Sequence, residues 1–373
     1  MRSPIAKHFK RWQLPVLFGL TAILLIVIIL SILMFKPAPE ETRPKIGMII
    51  LGDIEQPGWN ASHYEGLREA CNALHLELLV RDKVPEWSGQ CPDRIRELVD
   101  QGCSLIVLCS YGYAAECLET VKAYPHVAFV TNSSEVHAHN MASYFVRIYQ
   151  ARYLEGMLAA MSSKSNALGY IAAMPNAEVN RGLNAYVLGA QSIKPDIRVY
   201  VSFTGSWENP KLEETLVRRL ILERGCDVFG YQQDDQAVPR TALSEGVNVI
   251  GFNASFDENN DHLLTTIVCE WHTFYYNIIR RFMKNELTVF KNNWLGMDQG
   301  SVALSGFSKR VTPEMRKHLK QVKNELEYNT RIIFRGPIYD REGQLRCEEG
   351  EIVSDDVLLE RIDWQVKGVE IFE

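Results

Sequence analysis

The chain of 373 residues has no C-x-x-C pair, no G-x-S-x-G elbow, no P-loop and no H-E-x-x-H helix. It also lacks a glycine-rich dinucleotide fingerprint after its first apolar strand. These absences argue against a redox or zinc motif, an α/β-hydrolase, a nucleoside triphosphatase, a metalloprotease and a nicotinamide enzyme. No basic stripe with interleaved aromatics exists, and a net charge of −6 does not suggest a nucleic-acid partner. Low-complexity tracts and short repeats are missing as well. His137 and His139, with Glu135 nearby, lack a further metal ligand, so a solvated loop is the reading there. Nothing in the sequence implies a cofactor, a metal or a catalytic residue. The expectation is a protein that binds a small ligand rather than an enzyme.

Charge is also missing locally. Leu14 to Phe35 contains no charged residue. At about 1.5 Å per residue its length is roughly 33 Å, enough to cross a bilayer core. No small-x-small cleavage site follows, and no cysteine near its end offers a lipid attachment point. Arg2, Lys7, Lys10 and Arg11 precede it, which places residues 1–13 in the cytoplasm. The expectation is a single-pass cell-membrane protein anchored by residues 14–35. Residues 36–44 form a stiff proline-rich spacer, and everything beyond lies outside the cytoplasm.

Eight cysteines are present, several of them in or beside apolar runs, and buried free thiols are the expected state. From Lys45 onward, apolar runs alternate with helical patterns. Strands are expected at Ile46–Leu51, Leu76–Val80, Leu105–Cys109 and Val127–Val130. The intervening helices include His63–Leu74, with Leu67, Ala70, Cys71 and Leu74 on one stripe. The pattern restarts after a helix at Ile148–Met161. Further strands are expected at Leu168–Ala172, Val199–Phe203, Asp227–Tyr231 and Val247–Phe252. Such βαβα order with uniformly apolar strands predicts two doubly wound parallel-sheet lobes with a cleft between them. Lobe 1 is expected to span 45–145 with part of 270–320, and lobe 2 to span 146–269 with part of 321–373.

Ligands in doubly wound folds sit at the carboxyl ends of the strands. There the sequence supplies Gly52–Asn60, Thr204–Pro210, Tyr231–Gln236, Asn253–Asp257 and Pro175–Glu178. The first two loops each carry a tryptophan beside an Asn or Glu, and two such rings could sandwich a flat ligand. Base–aromatic stacking contributes about 1–3 kcal/mol per base. The acids in the other loops have a competing explanation as helix N-caps.

Six segments together resemble the basic membrane protein family of ABC-transporter substrate-binding proteins, in particular its adenine-binding branch. They are Gly58–Asn60 with Ser62 and His63, Asn140–Met157, Glu178–Ala190, Gly205–Pro210, Gly336–Asp340 and Asp363–Val369. The resemblance runs from about Lys45 to the C-terminus. It implies a type I periplasmic-binding fold, a purine or purine-nucleoside ligand, and ABC permease and ATPase subunits as partners. By position it makes Trp59 and Trp207 the stacking pair, Asn60 a donor or acceptor to the base edge, and Glu178 an acceptor from an exocyclic amine. Asp234 falls in the loop that closes over the ligand.

Two departures matter. Asn253 stands where nucleoside-binding members have an acid for ribose hydroxyls, and Cys269-Glu-Trp271 replaces a lysine segment, putting Trp271 at the site. Both changes favour a free base over a nucleoside. The membrane helix is a third departure, since many relatives are lipid-anchored. Two other readings stay open: a membrane-anchored purine sensor acting through a partner, and a nucleoside hydrolase using Asp234, Asp235 and His63.

Overall fold

The computed structural model describes residues 43–132, 136–253, 260–287 and 293–373. The expected membrane span, the cytoplasmic segment, most of the spacer, Glu135 and the loop residues 254–257 lie outside these. Among the described residues no helix is long and apolar enough to cross a membrane. Pro44–Glu373 forms one compact unit.

Two sheets organise it. The strands of the first are β1 (Lys45–Ile50), β2 (Leu78–Arg81), β3 (Cys103–Cys109), β4 (Ala128–Asn132) and β5 (Met141–Val146). The chain then supplies β6 (Ala167–Ala172), β7 (Arg198–Phe203), β8 (Val228–Gln232), β9 (Asn248–Phe252) and β10 (Leu263–Cys269) to the second. Last come β11 (Asn293–Leu295), β12 (Val302–Leu304), a small hairpin of β13 (Ile338–Tyr339) and β14 (Leu345–Cys347), and β15 (Val369–Ile371). The six-stranded sheet runs β11-β5-β4-β3-β1-β2 and is parallel throughout. The seven-stranded sheet runs β12-β10-β9-β8-β6-β7-β15, with only β12 antiparallel. Strands β3, β5, β6 and β8 are buried along nearly their whole length. That is why they read as continuous apolar runs rather than alternating ones.

The chain passes between the two sheets at β5 to the helix Ile148–Ser162, again from β10 to the helix Trp271–Met283, and finally from β11 to β12. Three short connections therefore join two lobes, the arrangement a hinge needs.

The second lobe is built around the helices Ile148–Ser162 and Ala177–Ile193, both buried over most of their surface. Their backbones approach through a reciprocal glycine notch. A Cβ on Gly156 would stand 1.9 Å from the Tyr186 carbonyl oxygen, and one on Gly189 2.0 Å from that of Tyr153. The outer face of the second helix carries polar side chains that bond the C-terminal segment. Arg181 donates to the Leu358 carbonyl at 2.6 Å, Asn180 to Ile362 at 3.0 Å and Asn184 to Trp364 at 2.9 Å.

All eight cysteines are free, and seven are buried. The helix expected at His63 begins earlier, at Trp59. Gly58, at φ 153°, ends the preceding loop, so Trp59 and Asn60 belong to the first helical turn rather than to a loop.

Candidate functional site

The carboxyl ends of both parallel sheets meet at one narrow cleft. The first lobe lines it with Trp59 from the start of its helix, Ser110 and Tyr111 from the end of β3, and Asn132 from the end of β4. The second lobe contributes Glu178, Trp207, Gln232, Asp234 and Phe252. Four of the seven residues singled out from sequence, Trp59, Glu178, Trp207 and Asp234, are thus brought together.

The loop carrying Trp207 is fixed at both ends. The Trp207 carbonyl accepts from the Asp234 backbone N–H at 2.9 Å, which ties the β7 and β8 loops together. Asn209 then caps the helix Pro210–Arg224 by accepting from Leu212 N–H, with Pro210 in the first turn. Glu178 lies in the first turn of the helix Ala177–Ile193, where the macrodipole favours a carboxylate. Asn176 caps that helix, accepting from Val179 N–H at 2.9 Å. Glu178 is therefore not the cap, whereas Asp235 does accept from Ala237 N–H at 2.6 Å at the start of its helix.

The lobes touch around this cavity. A Cβ on Gly58 would stand 2.4 Å from the Asp234 carbonyl oxygen, and one on Gly52 2.5 Å from a Glu208 carboxylate oxygen. Trp59 stacks towards Phe252 across the cleft, with ring centroids 6.0 Å apart at 26°. A second, wider chamber shares Asp234 with the first and is lined by Asp53, Asn60, Glu208, Asp235, Gln236 and Arg240, among others.

Carboxylates crowd the junction. Burial pushes the Asp234 carboxyl well above its ordinary range, helped by Glu208, Glu178, Glu86 and Asp235. Burial, then Asp235 and Asp53, raises Glu208. Glu213 is pushed up to about 8 by burial and Asp235. Acids with raised values can donate a proton to a ring nitrogen when neutral and accept from an amine when ionised.

Three of the seven residues are placed elsewhere. Asn60 faces the second chamber, and its Oδ1 accepts from Gly52 N–H at 3.2 Å. Asn253, at φ 50°, lines a separate open groove with Ile54, Pro57 and Ser62. Trp271 is buried behind Trp59, edge-on to it at 5.4 Å.

His63 stacks on Trp271 at 3.8 Å, and its Nδ1 bonds the Tyr275 hydroxyl at 2.5 Å. Burial holds its pKa well below the ordinary histidine value. A wholly buried, neutral imidazole behind the cavity cannot serve a hydrolase with Asp234 and Asp235, so that arrangement does not assemble. Among the described residues, no group of three or more histidines, cysteines or acids is placed to hold a metal ion.

Sequence reasoning missed Ser110, Tyr111, Asn132 and Phe252. Each sits at or just past the end of a parallel strand, which is the positional signal that would have found them.

A family model for PnrA-like ABC transporter substrate-binding proteins, Bmp, matches residues 43–343. The chain belongs to this family. A purine-binding protein of Brucella abortus (strain 2308) is 29% identical over 336 residues, covering 89% of this chain and 95% of that protein. A Haloferax volcanii ABC transporter protein, provisionally named for glucose binding, is 27% identical, covering 86% of this chain and 79% of its own length. The solved structure of a transcriptional activator of the comK gene from Bacillus halodurans superposes with TM-score 0.66 at 26% identity, covering 77% of this chain and 99% of that one. Solved ABC solute-binding proteins at 17% identity reach TM-scores of 0.61 and 0.65, which establishes the type I periplasmic-binding fold. This PnrA-like chain is accordingly a substrate-binding protein and not an enzyme.

Proposed function

We propose that this protein captures a purine base, with adenine preferred over adenosine, and delivers it to an ABC permease with its ATPase. The observation that carries the reading is the presence of Trp59 and Trp207, from opposite lobes, on one cavity whose other walls are two further aromatic rings, a serine, two amides and two carboxylic acids. Stacking holds a flat ring, and Glu178 and Asp234 meet its polar edge. The Brucella abortus relative, a purine-binding protein, supports the ligand class.

Closure of the lobes follows from contacts that ligand makes with both at once. The test is calorimetric titration of the detergent-solubilised chain with adenine, adenosine and glucose. Adenine should bind most tightly. Asn60→Ala should narrow the gap between adenine and adenosine, since Asn60 faces the chamber into which a ribose would extend. Tight glucose binding with no heat from adenine would overturn the reading.

The apolar segment Leu14–Phe35 would act as an uncleaved anchor, with the binding lobes outside the cell membrane. Intact-mass measurement of protein extracted from membranes should find that segment still attached. A mature chain beginning at or after Lys36 would rule the anchor out.

A second reading, ligand sensing through a partner, draws on the likeness to the Bacillus halodurans transcriptional activator. Purine uptake lost on deleting the gene favours transport. Unchanged uptake with altered transcription favours sensing.

A further inference from the structure

The described lining of the cavity is one-sided in charge. It contains the carboxyl groups of Glu178 and Asp234, four aromatic rings in Trp59, Tyr111, Trp207 and Phe252, and no lysine, arginine or histidine. Asn132, only 3% exposed, presents an Oδ1 with no protein partner. One donor, the Trp207 indole N–H, also lacks a protein partner. The second chamber adds Glu208 and Asp235 against Arg240, and Asp53, which is paired with Lys83 at 3.0 Å.

Two buried guanidiniums of the second lobe stand outside the lining. Arg181 donates to the Leu358 carbonyl at 2.6 Å, and Arg152 is paired with Glu155 at 2.8 Å. Arg181 offsets part of the Glu178 charge, whereas every charged group acting on Asp234 is another acid. Beside a neutral base the crowded acids tend to keep their protons, and an anionic ligand is repelled by those that ionise. A flat cation satisfies both halves of the lining, because aromatic faces attract cations most strongly when desolvated and acceptors take its N–H groups.

We infer that the ligand class of this site is a positively charged purine of the N-methylated kind, excluding phosphorylated nucleotides. The inference rests on the purine reading and narrows it.

The test is calorimetry on the full chain with a matched pair, neutral 9-methyladenine and cationic 1,9-dimethyladeninium, with adenine and adenosine monophosphate alongside. The cation should bind about tenfold or more tighter than its neutral partner, and the monophosphate should give no binding heat. In Asp234→Asn the ratio of the two affinities should shrink towards unity, whatever the change in adenine affinity itself. Equal or tighter binding of 9-methyladenine in the native chain overturns the inference and leaves the purine reading standing. So does a preference unchanged in Asp234→Asn, which would place its origin elsewhere, or adenine binding with rejection of both methylated ligands. Failure of all four ligands to bind removes the purine reading itself.

Discussion

Arg152→Met should cost the protein about 3–5 kcal/mol of stability, read as a lowered urea midpoint at unchanged slope. Arg152 and Glu155 lie three residues apart on the core helix of the second lobe, paired at 2.8 Å, and neither side chain is exposed. Gly230 on β8 makes room for the acid, since a Cβ there would stand 2.6 Å from a Glu155 oxygen. Burial pushes the Glu155 carboxyl up to about 7 even with the guanidinium beside it. Removing Arg152 strands that acid in an apolar interior.

The pH dependence has a definite sign. A carboxyl whose folded value lies above its unfolded value of about 4.3 binds more protons in the native state, so stability falls as pH rises between the two values. The variant should therefore be least impaired below about pH 4.3, where Glu155 is neutral in both states, and most impaired above neutrality. The double variant Arg152→Met with Glu155→Leu should recover most of the loss, because an apolar pair of similar volume needs no compensation. An unchanged midpoint in the single variant would show that the pair is neutral in effect. The consequence reaches the cavity, since the Arg152 guanidinium lies 4.4 Å from the ring centroid of Phe252, a lining residue.

Removing the Trp207 ring should weaken adenine binding by about 1–3 kcal/mol, roughly tenfold to a hundredfold. Trp207 is half-buried at the edge of the core and its indole N–H has no protein partner, so Trp207→Ala removes a cavity wall at a smaller packing cost than a fully buried ring would carry. Trp59→Ala should weaken binding similarly but also lower stability, because its ring is 6% exposed and packs on His63 and Trp271 at 4.3 and 5.4 Å. Trp207→Ala is consequently the decisive variant. Unchanged adenine affinity with an unchanged melting temperature would mean that the ring only covers its own lobe.

The alternation of apolar runs and helical stripes was enough to read the doubly wound lobes, because strands covered on both faces leave no ambiguity of facing. β5 escaped notice: Met-Ala-Ser-Tyr-Phe-Val mixes small polar and aromatic residues, and only its position between β4 and β11 makes all of it interior. At the site, residue type led to Trp59, Trp207, Glu178 and Asp234. Type alone could not separate Trp271, which packs behind the cavity, from Trp59, which faces it. That distinction depends on how the helices Trp59–Leu74 and Trp271–Met283 lie against each other, a contact between segments far apart in the chain. Asn60 and Asn253 were misplaced for a related reason, since one or two residues beyond a strand end decide which chamber or groove a side chain enters.

The hold of the C-terminal segment on the second lobe fixes an order of assembly. Strand β15 pairs with β7 at Val369–Ile371, and Arg181, Asn180 and Asn184 each donate to a carbonyl between Leu358 and Trp364. During synthesis the first lobe has all its strands once Leu295 has emerged. The second, although most of it is made earlier, keeps a bare sheet edge and lacks these three hydrogen bonds until almost the last residue leaves the ribosome. A stalled or clipped chain would thus present a finished first lobe joined to an unfinished second one, a form suited to disposal by proteases rather than to partial service.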